Sequence, residues 1–328
     1  MKKGQKTRSS GWLGVGMESL TPPELDDIHG ATLKVLYFSG IRVFSREALE
    51  IMAEGGADVD FATCTVRIPP YMVEDAIESA PSYVILAARD PRHDVLMGGK
   101  RVHFTTFGAG SKVVDPFGGE IFYATKTDVG MAALVCDKLE NVDIFTSTVV
   151  ASDMPFDTAE LHEAEAFLIN TSKHCQHDRL SSGKGAKKFF EMAAAVVGGP
   201  EKLRQRPIVS TMVCPTSPLQ LHKGTAEIIM ESAKAGVPVN ILSMVMAGAT
   251  APATLAGTLV VHNAEVLGGI VLHQLTNRGA PVIYGSSSTI FDMRFVTAAV
   301  GAPELGMISA ATAQLANFYL LPSFVGGT

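Results

Sequence analysis

Residues 208–245 read IVSTMVCPTSPLQLHKGTAEIIMESAKAGVPVNILSMV. An apolar run, Ile208–Val213, meets a loop of Pro215, Thr216 and Ser217. A helical pattern then covers 218–235, and a second apolar run, Val237–Val245, follows. Strands joined through a helix are parallel, because a parallel crossover takes a dozen or more residues. Strands covered by helices on both faces are short continuous apolar runs. This stretch therefore predicts a βαβ unit in an α/β fold.

The same alternation extends in both directions. Further apolar runs are Val102–Phe107, Val142–Val150, His174–Leu180 and Val282–Tyr284. Helical patterns cover 127–139, 158–171, 184–197, 252–277 and 303–320. Six units without a dinucleotide-binding fingerprint favour a (β/α) barrel over a doubly wound sheet. Pro322 to Gly327 reads as the start of a seventh strand, so the expected fold is an incomplete (β/α)8 barrel over 101–328. The loops after the runs are small and hydroxylic, as in Gly108-Ala109-Gly110-Ser111 and Gly285-Ser286-Ser287-Ser288. In a barrel such loops share the C-terminal face, where active sites sit. Ordinary turn chemistry accounts for any one of them; six together favour a wide site.

Upstream the pattern differs. Residues 1–20 carry Gly4, Gly11, Gly14 and Gly16 without helical period and read as a flexible arm. Thr21-Pro22-Pro23-Glu24 has the spacing of a capping box with proline at the first helical position. Leu25, Ile28, Thr32, Val35 and Leu36 then fall on one helical face. A second helix is expected from Ser45 to Gly55-Gly56, a hairpin over Val59–Ile68 and a third helix from Pro69-Pro70. Residues 21–100 thus read as a small N-terminal α+β domain.

Composition narrows the function. The chain has 328 residues, 47% of them hydrophobic, and a formal charge of −6. A negative balance argues against nucleic acid, whose phosphates call for Lys and Arg. Four cysteines without a C-x-x-C pair exclude a disulfide scaffold. No apolar segment of signal-peptide length follows the basic start, and the expected location is cytoplasmic. Ala235–Ala264 holds no charged residue, but prolines and asparagines break it, so it reads as a buried strand and helix rather than a membrane span. From Val237 to Thr328 the charged residues are Glu265, Arg278, Asp292, Arg294 and Glu304, which places this part in a core or an interface.

Several chemistries can be set aside. Ser182-Gly183-Lys184-Gly185 lacks the spacing of a phosphate loop. His174, Cys175, His177 and Cys214 are zinc-ligand types, but alternate strand residues point to opposite faces, and no metal site is expected. Lys173, the nearest candidate for a Schiff base, precedes its strand and reads as solvated.

Several stretches, taken in order, resemble one known family. They are Ala57-Asp58-Val59-Asp60, Val66-Arg67-Ile68-Pro69, Ala80-Pro81 with Ala88-Arg89-Asp90-Pro91, and Gly98-Gly99. Asn170-Thr171-Ser172-Lys173-His174, Tyr284–Thr289 with Asp292-Met293, and Gly301–Leu305 leading to Leu321-Pro322-Ser323 complete the set. The chain from about Leu20 onward is similar to the trimethylamine:corrinoid methyltransferase family, which includes the glycine betaine methyltransferases. That resemblance implies a (β/α)8 barrel behind an N-terminal extension. It implies methyl transfer from a methylated amine to the Co(I) centre of a separate corrinoid protein, in methylotrophic and methanogenic metabolism. The corrinoid would be carried by that partner and not bound by this chain alone. It also implies, in trimethylamine members, a pyrrolysine encoded by an amber codon just after the stretch matching Leu321–Gly327. On this reading the chain is the front part of a longer enzyme, a homo-oligomer when full length.

A tertiary amine is a poor methyl donor, because the leaving group is an amide-like anion unless the nitrogen is first made cationic. Glu304 and Asp292, carboxylates in a charge-poor region, are the candidate catalytic residues. A first-turn helix charge accounts equally for Glu304, and a turn or a pair with Arg294 for Asp292. Tyr284, Phe107 and Phe291 are candidates to cage a methylammonium by cation–π contact, though each alone is more often core. Ser286, Ser287, Gly108 and Gly110 are the candidate corrinoid-facing loop positions. Two readings of other classes stay open: a lyase or aldolase on the same barrel, and a non-catalytic protein that binds a corrinoid protein.

Overall fold

The computed structural model describes residues 12, 13 and 18–326. The arm expected over 1–20 and the last residues, Gly327 and Thr328, lie largely outside them. Six strands form one parallel sheet: β1 (Ile144–Thr146), β2 (His174–His177), β3 (Val209–Val213), β4 (Val239–Ser243), β5 (Val282–Ser286) and β6 (Ser323–Val325). Thr105 bridges Ile144 in parallel and adds the first apolar run to the β1 edge. Strand order follows chain order throughout, with every pair parallel. A doubly wound sheet would reverse direction at a switch point; this one does not. It has the order of a barrel and curls like one. Inward residues Ile144, Ile283 and Phe324, from β1, β5 and β6, meet in a single cluster with Val84, Leu86 and Val95. The last three belong to the hairpin Val84–Leu86/Val95–Met97, which plugs the bottom of the curl.

The helices, in chain order, are α1 (Pro22–Lys34), α2 (Arg46–Glu54), α3 (Pro70–Ser79), α4 (Lys126–Lys138), α5 (Ala159–Asn170), α6 (Gly183–Val197), α7 (Pro200–Gln205), α8 (Lys223–Ala235), α9 (Leu255–Thr276) and α10 (Pro303–Phe318). The box expected at α1 is present: Thr21 donates from both its backbone N and Oγ1 to Glu24 Oε2, at 2.8 and 2.7 Å. The helix expected over 218–235 begins only at Lys223, because Gln220–Leu221 forms a short parallel strand against Arg42–Val43. That strand joins the sheet of Ile41–Val43, Thr65–Arg67 and Asp58–Asp60 to a loop of the barrel-like part.

The uncharged 235–264 segment is accounted for inside the protein. α9 is long and apolar enough to cross a membrane, yet 72% of its most apolar window is buried. α1 and α3 cover its outer side, and the strands cover its inner side. Its polar groups are matched there. Asn263 Nδ2 donates to Thr32 Oγ1 at 2.9 Å and to Tyr319 Oη at 2.8 Å, and Tyr284 Oη donates to Asn263 Oδ1 at 2.7 Å. One amide thus ties α1, α9, β5 and the end of α10 together, with each partner buried and satisfied.

Lys173 corrects its sequence reading. It is buried, not solvated, because its stem runs beneath the end of α4. Nζ donates to the carbonyls of Cys136, Leu139 and Val142 at 2.6, 2.7 and 2.6 Å. The last carbonyls of a helix have no partner within it and carry partial negative charge, so a cation there meets a double need.

Candidate functional site

Alternation along the strands sorts side chains into two sets. Facing the helices are His177, edge-on to Phe167 and Phe189 at 5.5 and 5.2 Å, and Thr211, bonded to Ser232 of α8. Ser243, bonded to Glu265 of α9, faces the same way. Facing the interior are His174, Gln176, Ser210, Met212 and Asn240. They form a polar belt beside the apolar plug, with His174 in register with Ile144 and Asn240 with Ile283. Thr105 Oγ1 meets Thr146 Oγ1 at 3.0 Å, and Thr146 Oγ1 donates to Gln176 Oε1 at 3.4 Å. Gln176 Nε2 donates to Ser210 Oγ at 3.5 Å, and His174 Nε2 lies 2.8 Å from the same oxygen. Burial pushes His174 down to about 4, so its ring is neutral near pH 7.

Asn240 Nδ2 donates to Met212 Sδ at 3.5 Å, while its Oδ1 has no hydrogen-bond partner. Gly285 faces it: a Cβ built there would stand 2.1 Å from Asn240 Oδ1 and 2.9 Å from the backbone of Leu242. Gly285→Ala is therefore expected to destabilise the chain by about 1–3 kcal/mol, the cost of overpacking an interior. Urea unfolding checks it; an unchanged midpoint would show that the interior has room to spare.

The same alternation carries Asp178 past the end of β2 to the rim of the interior. Its Oδ1 is buried without a partner. Burial, reinforced by the charge of Glu163 and opposed by Arg179 and a backbone N–H, pushes its carboxyl up to about 7. Cys214 holds the equivalent place past β3. Its side chain is exposed at the rim; crowding by surrounding protein atoms, then the neighbouring carboxyls of Asp178 and Glu265, raise its thiol. Sequence reasoning does not single out Asp178. The signal is in the parity of the run His174–Leu180: an inward His174 makes 176 and 178 inward too.

Carboxylates on the helices behind fasten the loops around this rim. Glu163 of α5, fully buried, accepts from Ala151 N at 2.9 Å and pairs with Arg179. Glu160 accepts from Ser181 N at 2.8 Å, and Glu227 from Gly183 N at 3.2 Å. Glu265 accepts from Ser217 Oγ, Leu219 N and Ser243 Oγ at 3.0, 2.9 and 2.6 Å. Asp153, in the loop after β1, accepts from Lys126 N at 2.7 Å, at the start of α4. Burial raises the carboxyls of both Glu163 and Glu265. Such anchors hold the loops in place before any ligand arrives.

The residues expected from sequence are not all brought together. Tyr284 does not line a cage: it is fully buried on the helix-facing side, where its hydroxyl is taken by Asn263. Ser286 shares that side, buried, with Oγ accepting from Ser288 N. Ser287 and Phe107 reach the rim. The Phe107 ring stands 6.2 Å from that of Phe324, across the curl, and Ser287 Oγ lies beside Gly326. Gly108 and Gly110 run along the first loop, with Gly110 N donating to Thr148 O at 2.9 Å. Phe291 lies on Thr289–Asp292, a strand of a separate small sheet. Asp292 Oδ1 accepts from Arg294 N and Phe295 N, at 2.8 and 3.1 Å, and so closes a turn. Glu304 sits in the first turn of α10, half-buried. Among the described residues no three His, Cys, Asp or Glu side chains are placed to hold a metal. The possible zinc set is divided by strand parity, His174 inward and His177 outward.

The family described as "Trimethylamine methyltransferase (MTTB)" matches residues 14–328. Trimethylamine methyltransferase MttB of Desulfitobacterium hafniense is 52% identical over 314 residues, covering 96% of this chain and 63% of its own. Its counterpart in Methanosarcina thermophila is 45% identical, over 96% of this chain and 66% of its own. A glycine betaine methyltransferase of Desulfitobacterium hafniense is 34% identical, over 94% and 64%. The chain thus spans just under two thirds of the length of these relatives. In fold it is similar to the crystal structure of the Methanosarcina barkeri monomethylamine methyltransferase: TM-score 0.57 at 12% identity, over 91% of this chain and 60% of that one.

Proposed function

This chain belongs to the trimethylamine methyltransferase family, and on that premise we propose that it supplies most of a barrel enzyme that moves a methyl group from trimethylamine to a Co(I) corrinoid on a partner protein. The observation that carries the substrate is the ranking of relatives: 52% identity to a trimethylamine enzyme against 34% to a glycine betaine enzyme. The completed (β/α)8 barrel, the cytoplasmic location and a homo-oligomeric whole are parts of the same proposal. The charge-poor third that prompted the oligomer is largely core, through β4, β5 and α9, but it leaves Met293, Phe295 and Val300 exposed.

The rim suits the chemistry. Transfer breaks a C–N bond, leaves its electron pair on nitrogen and forms a bond from carbon to the electron-rich metal. From protonated trimethylamine the leaving group is neutral dimethylamine; from the free amine it would be an amide anion. A group that keeps the nitrogen cationic therefore lowers the barrier. Asp178 is such a group. Protonated, it donates to the amine nitrogen; ionised, it faces the resulting ammonium. A carboxyl held near 7 serves both states at neutral pH. Phe107, whose ring stands 6.2 Å from that of Phe324, adds an apolar surface across the curl. The partner's corrinoid would approach from the open C-terminal face, past Ser287 and the Gly108–Gly110 loop.

The test is methyl transfer by this chain joined to the portion of the 52%-identical relative that it does not span. The Co(I) absorbance of a corrinoid protein should be lost with trimethylamine and persist with glycine betaine. Preference for glycine betaine would overturn the substrate, and inactivity with both would overturn the reaction.

A further inference from the structure

Asp178 stands beside a cation and forms no ion pair with it. Arg179 is the next residue along the chain, yet its Nη1 pairs with Oε1 of Glu163 on α5. Among the described residues Asp178 enters no salt bridge, and its Oδ1 is buried without a hydrogen-bond partner. Strand alternation accounts for the parting: Asp178 points to the interior and Arg179 to the helices behind. The guanidinium is nonetheless only one residue away. An opposite charge within about 4–6 Å favours the ionised form of a carboxyl by about 1–3 pH units.

Glu163 is costly to keep in this place. It is fully buried, and its Oε2 has no partner. Its Oε1 accepts from Ala151 N at 2.9 Å as well as from Arg179. A glutamine would serve the Ala151 N–H equally well without burying a charge. What only a carboxylate does here is hold the guanidinium. Glu160, three residues earlier on α5, adds a like charge and raises the cost further. The other titratable groups around Asp178 bring no second cation. His177 faces the helices and is neutral near pH 7, its Nε2 placed on Glu160 O. Cys214 lies past β3, and Glu265 of α9 stands beyond it.

We propose that Glu163 is a positioning residue for the reaction: by holding the Arg179 guanidinium on the helix side of the sheet, it keeps Asp178 free of an ion pair and open to the amine. The inference rests on Asp178 being the group that meets the amine. An Asp178 paired with Arg179 would be an anion already satisfied, with no proton to donate at neutral pH. The Glu163–Arg179 pair acts as a unit. Seen from Asp178, its anion and its cation oppose each other, which leaves burial as the largest influence on the carboxyl. Glu163 itself touches no substrate and acts through Arg179.

The test reads the titration of Asp178 in the 328-residue chain by linkage. Urea unfolding from pH 4 to pH 9, with and without Asp178→Asn, gives the pH at which the difference between the two levels off. That midpoint is expected near 7, where burial has pushed the carboxyl. Glu163→Gln, which keeps the acceptor for Ala151 N, should lower it by at least about one pH unit, the small end of an ion-pair shift. Adding Arg179→Met should bring it back to within about half a unit of its original place, because a neutral couple then replaces the charged one. A merely structural Glu163 would lose stability without moving the midpoint. A midpoint that Glu163→Gln leaves in place, or one that stays down after Arg179→Met is added, would overturn the inference. The double variant answers even where Glu163→Gln alone does not fold, since replacing both members of a buried pair is often neutral for stability. Its midpoint, displaced by more than about one unit, would overturn the inference too. None of this needs turnover. In the completed enzyme the pH–rate profile of methyl transfer should move with the midpoint. A profile that stays while the midpoint moves would overturn the part given to Asp178 in the reaction, and not the hold of Glu163 on Arg179.

Discussion

Replacing Lys173 by methionine is expected to lower the stability of the chain by about 1–3 kcal/mol, the cost of leaving buried carbonyls without their donor. Methionine keeps the length of the stem and removes only the ammonium. The carbonyl of Cys136 in the last turn of α4, buried, and those of Leu139 and Val142 just past it, part-buried, then lose this donor. Arginine is not expected to rescue, since its planar fork cannot meet three carbonyls converging on one point. Urea unfolding followed by circular dichroism gives the answer, and a loss below about 1 kcal/mol would show that the carbonyls find water instead.

Asp178→Asn should do the reverse for stability and remove the chemistry. The folded carboxyl is raised from 3.8 to about 7, so folding binds a proton more tightly than the unfolded chain does. Below pH 4 both states are protonated and Asp178 carries no penalty. Between pH 4 and 7 the penalty grows, and above 7 it is complete. Each pH unit is worth about 1.4 kcal/mol, and water entering the rim reduces the total. Asparagine, uncharged at every pH, should therefore stabilise the chain by about 1–3 kcal/mol at pH 8 and by nothing at pH 4. In the completed enzyme the same change should slow methyl transfer at least about a hundredfold, as loss of a proton-handling group does. A stability gain independent of pH would locate the effect elsewhere than in the charge of Asp178.

How much of this was legible in the sequence depends on which period carries the signal. Strand–helix alternation has a long period, and it yielded the parallel order and the run of six units. Inside a strand the period is two, and a continuous apolar run conceals its phase. Tyr284 and Gly285 show the consequence: one residue of phase separates a structural tyrosine behind the sheet from an interior glycine beside Asn240. Asp178 is hidden for the same reason, at the end of a run that reads as strand. Glu163 and Glu265 were out of reach for another. Both lie on helices and act on loops 12 or more residues away, so no local pattern records their role. Lys173 reads as solvated because lysines usually are; only the convergence of three backbone carbonyls reverses that.

The amide of Asn263 ties α9 to Thr32 across 231 positions of chain. A ribosome adds about 5–20 residues each second, so α1 waits roughly 10–50 s before the helix it covers has been made. Throughout that interval the faces of α1 and α3 that α9 covers lack that cover. The N-terminal segment is thus a nascent-chain hazard by its topology, and the first place where a chaperone would be needed during synthesis.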